Sequence, residues 1–159
     1  MVFKDYTFFS YVFLATTVIL LTFHAHGAGL CDKSPNKQVC HSIVYTRTEA
    51  RDAVVAACHK LVAQTKVANV LAKQQPNSAE ISKCITNFDG AIGYAKGALT
   101  ALNANQPLSS NFYLTAAQNN YMSCDDGFKN SGKTNPIAKS TKLLQDMASV
   151  GAYLSTLVK

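Results

Sequence analysis

Apolar side chains recur in steps of three and four residues along most of the chain after residue 46, which is the spacing of one face of an α-helix. Short polar segments with proline or asparagine divide this pattern into four amphipathic helices. No run of β-branched residues alternates with period two, so no β-sheet is expected. Four helices with short connections predict an all-α fold, an up-down-up-down four-helix bundle.

Local signals set the expected ends of these helices. Helix one is predicted to open at Thr46 and to stop before Pro76. Asn77 followed by Glu80 is a capping-box signal for helix two, and Pro136 suits the first turn of helix four. The predicted core positions are Val54, Cys58, Leu61, Thr65, Ala68 and Ala72 on helix one; Ile81, Ile85, Phe88, Ile92, Ala95, Leu99 and Leu102 on helix two; Leu114, Ala117, Tyr121, Cys124 and Phe128 on helix three, after a turn at 107–110; and Leu143, Met147, Val150, Leu154 and Leu157 on helix four.

Two pairs of cysteines are expected to form disulfides. The sequence midpoint of Cys84 and Cys124 is residue 104, which lies in the turn at 103–107. An antiparallel hairpin folded there brings the two sulfurs level, within disulfide reach. Cys31 and Cys40 are close in sequence and staple the segment 30–42 into a small N-terminal hairpin.

Cys58 is the cysteine expected to remain unpaired. Helices one and two turn near residue 76, which places Cys58 level with about residue 94 and roughly 15 Å from Cys84. A bridge to Cys124 is less firmly excluded, because helices one and three lie diagonally in such a bundle. A small buried apolar side chain is the simpler interpretation of Cys58 than a reactive thiol.

The N-terminal residues indicate a secreted protein. Lys4 precedes an uncharged apolar stretch at 6–23, and the small residues at 25–27 suit a signal peptidase. We expect residues 1–27 to be a secretory signal peptide and residues 28–159 to be one domain. An uncleaved membrane anchor is the alternative, since about 18 apolar residues just span a bilayer. Secretion into an oxidising compartment permits the disulfides, and no membrane association is expected after signal removal.

The chain offers little catalytic chemistry. No G-x-S-x-G, H-E-x-x-H or glycine-rich phosphate loop is present, so we expect no enzyme activity, no cofactor and no metal site. His24 and His26 form an H-x-H, but they fall in the predicted signal peptide. Asp125 and Asp126 are adjacent on a helix and point about 100° apart, which prevents them from flanking one substrate bond. Asp126 is interpreted as a structural or interface residue.

The net charge of +6 is spread over all four helices without a tight basic run, which argues against a nucleic-acid partner. It favours acidic partners, which long-range attraction would bring together faster. The alternative is that the charge only keeps a secreted protein soluble.

Several motifs resemble a known family. Cys31 and Cys40 form C-x8-C, residues 84–91 read CITNFDGA, and residues 123–128 read SCDDGF, a [ST]-C-x-D-x-F segment. Together these are similar to the plant invertase/pectin methylesterase inhibitor family. The resemblance implies a disulfide-stapled α-hairpin on a four-helix bundle, with the same two cysteine pairs. It also implies secretion to the apoplast and cell wall.

The turn between helices two and three separates the two functions that the resemblance implies. Invertase inhibitors carry Pro-Lys-Phe there, whereas residues 106–109 read QPLS, without the basic and aromatic positions. We therefore favour inhibition of pectin methylesterase, by a rigid bundle that covers the substrate groove in a stoichiometric complex. Inhibition of acid invertase is the alternative. The candidate partner-binding residues are Lys83, Asn87, Lys96, Tyr113, Gln118, Asn119, Ser123 and Asp126.

A small secreted bundle that signals through a receptor or binds a lipid remains a further alternative. A lipid-transfer protein is disfavoured because that class needs more disulfides than four cysteines supply. The absence of long crossover connections argues mildly against a cytokine-like topology.

Overall fold

The computed structural model describes residues 28–159, and the regular structure of this range is entirely helical. The predicted signal peptide, with His24 and His26, lies outside the described residues. The helices are α1 (Ala28–Cys31), α2 (Lys37–Val44), α3 (Ala50–Lys73), α4 (Ala79–Asn103), α5 (Pro107–Asn130) and α6 (Ala138–Ser155). The predicted helices one to four correspond to α3 to α6.

The four long helices form a closed ring. Each packs against its neighbours in sequence, α3 also packs against α6, and the short helix α2 lies against α3 and α6. This confirms the predicted up-down-up-down bundle with an N-terminal α-hairpin. The connections are short enough that consecutive helices must run antiparallel.

The turn between α4 and α5 ends one helix and starts the next within three residues. Asn105 adopts a left-handed φ of 57°. Its N–H bonds to the carbonyl of Leu102, and the N–H of Gln106 bonds to that of Ala101, which together form a Schellman motif. Pro107 then occupies the first turn of α5, where its missing N–H costs nothing. The turn predicted at 107–110 therefore lies inside the helix.

Three other predicted helix starts were wrong. Ser78, not Asn77, caps α4, and its side chain accepts a hydrogen bond from the N–H of Ile81. The helix α3 begins at Ala50, after an N-cap at Glu49 without a side-chain bond, so Thr46 is not its cap. Pro136 precedes α6, whose N-cap is Ile137.

Disulfides hold both the hairpin and the bundle. The structure joins Cys31 to Cys40 and Cys84 to Cys124, the pairs that the sequence predicts, with Cα–Cα distances of 5.7 and 4.6 Å. Cys58 is a free cysteine with no exposed surface. Burial raises the pKa of its thiol to about 12, so the thiol stays protonated and behaves as an apolar core group.

Polar contacts fix the hairpin on the bundle. The Asn36 side chain accepts from the N–H of Val39, which caps α2, and its Nδ2 donates to Asp146 Oδ2 of α6 at 3.2 Å. Lys60 Nζ of α3 donates to the carbonyl of Ser42. A cation at the C-terminal end of α2 is favoured by the helix dipole as well as by the hydrogen bond.

Small residues line much of the core and let the helices approach closely. A Cβ placed on Gly151 of α6 would lie 3.4 Å from Ala57 of α3 and from Leu114 of α5. The predicted core positions of α3 and α5 are all buried, whereas on α6 Leu144 is buried and Leu143 is 42% exposed. Met147, Val150 and Leu154 are buried as predicted, and Leu157 is half-buried, so Leu143 is the predicted position of α6 that lies at the edge of the buried face.

Candidate partner-binding face

The outer side of the α4–α5 pair contains an open groove of about 570 Å³. We call it the α4–α5 groove. It is lined by Thr86, Asn87, Gly90, Gly93, Tyr94, Gly97, Tyr113 and Asn120. Six of these residues come from one helix, so the groove follows the axis of α4.

Glycines on α4 form the floor of the groove. A Cβ on Gly97 would lie 3.2 Å from the ring of Tyr113, and a Cβ on Gly90 would lie 2.7 Å from Asn120 Nδ2. These two glycines therefore let the side chains of α5 lie flat across α4. A Cβ on Gly93 would meet nothing within 4 Å, so the groove stays open at its middle.

An aromatic cluster stands at the end of the groove nearest the α4–α5 turn. The ring centroids of Tyr94 and Tyr113 are 6.4 Å apart, and those of Phe112 and Tyr113 are 6.1 Å apart in an edge-on arrangement. Phe112 is 69% exposed, and Leu108, one turn before it, is 81% exposed. Such side chains grouped on one surface are typical of the anchors of protein interfaces.

The other end of the groove is polar. Asn87 Nδ2 is shielded from solvent and has no hydrogen-bond partner within the described residues. Lys83, one turn before Asn87 on α4, extends its aliphatic chain to 3.6 Å from the position of a Cβ on Gly127. Of the two lysines of α4, Lys83 is thus the one next to this end of the groove along the helix.

The structure places four of the predicted partner-binding residues beside this groove. Asn87 and Tyr113 line it. Lys83 lies next to it, and Ser123 lies on the same flank of α5, between Asn120 and Gly127. Asn119 and Asp126 are exposed on the outward side of α5, next to this flank.

Two predicted residues lie elsewhere. Lys96 is two turns after Asp89, which accepts a hydrogen bond from Asn69 of α3 at 2.9 Å, so Lys96 lies on the flank of α4 that faces α3. Gln118 is two turns after Asn111, which donates to the carbonyl of Ala152 on α6 at 2.7 Å. Gln118 therefore lies on the side of α5 that faces α6.

The two adjacent aspartates have different surroundings. Asp125 accepts hydrogen bonds at 2.6 Å from Asn135, Thr141 and Gln145, and so fixes α5 to the start of α6. Asp126 is exposed. Asp125 is therefore the structural residue of this pair, and Asp126 is the one available to a partner.

Contacts behind the groove make it rigid. The Cys84–Cys124 bridge joins α4 to α5. Arg51 of α3 donates to the carbonyl of Leu102 at 2.7 Å and to Asn105 Oδ1 at 2.9 Å, which fixes the α4–α5 turn. A surface held in this way loses little conformational entropy when a partner binds.

Sequence reasoning did not select Leu108, Phe112 or Tyr94. A signal for two of them was present. Leu108 and Phe112 are large apolar residues on α5 that are out of phase with its buried stripe, and an apolar residue on the polar side of an amphipathic helix is exposed. Tyr94 lacks such a signal, because only its packing on Tyr113 places it in the cluster.

Residues 28–159 contain no group of three or more His, Cys, Asp or Glu side chains that could hold a metal ion. None of the helices in the described part of the chain is long and apolar enough to cross a bilayer.

These features define a class of protein: a disulfide-braced four-helix bundle that carries a rigid, partly aromatic face. A family model described as plant invertase/pectin methylesterase inhibitor matches residues 28–154. The chain belongs to this family, which confirms the resemblance seen in its motifs. No curated protein matches the chain significantly in sequence.

Two solved structures from Arabidopsis share the fold. The chain is similar to a mutant form of a pectin methylesterase inhibitor, with a TM-score of 0.72 and 14% identity over 85% of this chain and 99% of the other. It is also similar to a pectin methylesterase inhibitor from Arabidopsis thaliana, with a TM-score of 0.63 and 14% identity over 81% of this chain and 93% of the other. At this identity the similarity concerns the fold alone.

Proposed function

We propose that this chain is a secreted inhibitor of pectin methylesterase that covers the substrate groove of the enzyme in a stoichiometric complex. Membership of the plant invertase/pectin methylesterase inhibitor family limits the target to one of two enzymes. The turn at 106–109 favours the esterase, because it lacks the Pro-Lys-Phe segment of the invertase inhibitors. In the structure Leu108 lies in the first turn of α5, and its apolar side chain is exposed.

The exposed aromatic cluster is the observation from which we infer that the α4–α5 side of the bundle docks on the enzyme. Aromatic side chains bury a large area with few rotatable bonds, and they dominate the binding energy of many interfaces. Phe112 and Leu108 project from the same side of α5, and Tyr94 and Tyr113 lie beside them. In the complex these side chains would fill the mouth of the enzyme groove and exclude the polymer.

The inhibitor itself performs no chemistry in this mechanism. Inhibition is steric, so it depends on affinity and requires no proton transfer by any group of the inhibitor. The net charge of +6 would speed association with an acidic cleft more than it would change the final affinity. Lys83, beside the groove, is the cation placed to act in this way, whereas Lys96 faces α3 and is expected to contribute less.

The proposal includes export. Residues 1–27 would be removed as a signal peptide, and the mature domain 28–159 would act in the apoplast and cell wall. The two disulfides support this assignment, because such bridges persist in oxidising compartments.

The test mixes residues 28–159 with plant pectin methylesterase and, separately, with acid invertase. We expect loss of esterase activity that saturates near one inhibitor per enzyme, is relieved by excess pectin and is unaffected by replacing His41 or His59. Loss of invertase activity alone would establish the alternative target. Loss of neither would refute the inhibitor assignment and favour a signalling or lipid-binding bundle.

Two matched pairs of variants test the docking face. Phe112→Ala should weaken inhibition, whereas Tyr45→Ala should not, although the two aromatic side chains are similarly exposed, at 69% and 67%. Lys83→Glu should slow association and change its salt dependence more than Lys66→Glu on α3. Equal effects within either pair would mean that another face of the bundle docks.

A further inference from the structure

We propose that the α4–α5 groove is a binding site for a short oligosaccharide whose rings in the groove carry no charge. This inference goes beyond inhibition and does not require the enzyme. The groove lies on the face assigned above to the esterase, but sugar binding is a property of the free protein and is tested on it alone.

The shape of the groove suits an extended chain. From Asn87 to Gly97 it follows α4 for about 15 Å, at 1.5 Å per residue. Its floor is made of glycines and it is open along its length, so a ligand longer than the groove can pass out at either end. A polymer segment fits this geometry better than a compact metabolite, which would need walls on all sides.

The lining matches the two kinds of surface that a sugar ring presents. Tyr94 and Tyr113 offer aromatic rings, whose negative faces attract the weakly positive C–H groups of a pyranose. Asn87, Asn120 and Thr86 offer amide and hydroxyl groups for the sugar hydroxyls.

One of these amides lacks a partner. Asn87 Nδ2 is shielded and without a hydrogen-bond acceptor among the described residues, a state that costs free energy in the unliganded protein. A small rotation of the side chain would present this donor to a ligand hydroxyl. The unpaired donor is therefore a hydrogen-bonding group that a polar ligand in the groove would satisfy.

The eight lining residues include no charged side chain, which sets the ligand class. A lipid tail would leave the amides unpaired, and a nucleic acid would find no cation among the lining residues. A carboxylate in the middle of the groove would find no counter-charge among the lining residues, because Lys83 lies beyond the polar end of the groove. An uncharged sugar segment needs no counter-charge and offers hydroxyl groups to the lining amides and hydroxyls.

Gly93 provides the test, because its added Cβ would meet nothing within 4 Å. Gly93→Leu fills the groove, and it should keep or raise the melting temperature because leucine favours a helix over glycine. Gly29→Leu is the matched control, since Gly29 on α1 is equally open and lies far from the groove in sequence. Asn87→Ala removes the unpaired donor without filling space.

Cellohexaose and hexagalacturonate are titrated into residues 28–159 and followed by tyrosine fluorescence and by backbone amide shifts. We expect cellohexaose to shift the amides of Asn87, Gly93 and Gly97, and to bind more tightly than hexagalacturonate. Gly93→Leu should weaken binding by about tenfold or more. Gly29→Leu should bind as the unmodified protein does.

Asn87→Ala should weaken binding while leaving the melting temperature unchanged or higher, which a purely structural asparagine would not do. No binding of cellohexaose, tighter binding of hexagalacturonate, or unchanged affinity in Gly93→Leu would each overturn the proposal. These outcomes leave enzyme inhibition untouched, because the esterase is absent from the experiment.

Discussion

Tyr121 and Thr65 form a polar chain in the core, and its direction predicts which of the two can be replaced at less cost. Both residues have no exposed surface. Thr65 Oγ1 lies 2.6 Å from the carbonyl oxygen of Leu61 and 2.7 Å from the Tyr121 hydroxyl. Thr65 has one proton, which it donates to Leu61, so the Tyr121 hydroxyl must donate to Thr65. Burial raises the pKa of Tyr121 above its usual value, so the hydroxyl keeps its proton at any ordinary pH.

Because Tyr121 donates to Thr65 and Thr65 donates to Leu61, replacing Tyr121 and replacing Thr65 should cost different amounts of stability. Tyr121→Phe removes one net hydrogen bond and leaves Thr65 bonded to Leu61, so we expect a loss of about 1 kcal/mol. Thr65→Val keeps the shape but leaves the Tyr121 hydroxyl buried without an acceptor, and we expect a loss of about 2–3 kcal/mol. The double variant removes both polar groups, so it should be more stable than Thr65→Val alone.

Urea unfolding followed by circular dichroism measures the three free energies, and melting temperatures provide a second readout, at about 3–4 °C per kcal/mol for a domain of this size. The slope of free energy against urea should be the same for all variants, since none changes the surface exposed on unfolding. A double variant less stable than Thr65→Val would show that the hydroxyl of Tyr121 has another acceptor, and would refute the direction of the chain.

Three further predictions concern the stability that each disulfide provides, the pH dependence of stability and the affinity of the docking face for the esterase. Loss of the Cys84 bridge in Cys84→Ser should lower the melting temperature more than Cys31→Ser, because loop-closure entropy assigns ~4 kcal/mol to the 40-residue loop and ~2.5 kcal/mol to the 9-residue loop; the opposite order would contradict this. Lys133, which donates to both oxygens of Glu80, lowers the pKa of that carboxyl from 4.5 to about 2. The stabilisation of the fold by this ion pair is therefore present above pH 4.5 and lost as the pH falls towards 2. The free energy of unfolding should change less across that pH range in Glu80→Gln than in the unmodified protein. Phe112→Ala should raise the Kd for the esterase by about tenfold or more without lowering the melting temperature, which titration calorimetry and thermal unfolding check; an unchanged Kd would count against the docking face.

The sequence predicted the bundle well where large apolar residues mark the buried face. On α5 the stripe of Leu114, Tyr121 and Phe128 is buried as expected, and the register of Cys84 and Cys124 followed from the turn alone. These features depend on helical periodicity and on rise per residue, which are local properties.

The prediction failed where small residues occupy the centre of a buried face. On α6 the residues Ala148 and Gly151 are buried but carry almost no apolar signal, so they do not help to decide which of the adjacent leucines Leu143 and Leu144 faces the core, and Leu143, the exposed one, was chosen. The N-cap of α4 was misplaced by one residue because two neighbouring residues carry the same signal. Asn77 and Ser78 are both good caps, and only the backbone geometry decides which side chain reaches an orphan N–H.

The partner-binding face was harder still, because the side that a surface residue faces depends on two neighbouring helices. Lys96 and Lys83 are both exposed lysines of α4, yet one lies on the flank towards α3 and the other beside α5. Polarity alone does not distinguish them. The position of a residue around its helix can be judged from a neighbour on the same helix whose contact is known: Asp89, which bonds to Asn69 of α3, places Lys96 on the same flank. Such contacts between helices can be seen only in the assembled bundle. Exposed apolar residues out of phase with the core are the better guide on α5, because burying them in the fold would require rotating the whole helix, and this rule selects Leu108 and Phe112 there.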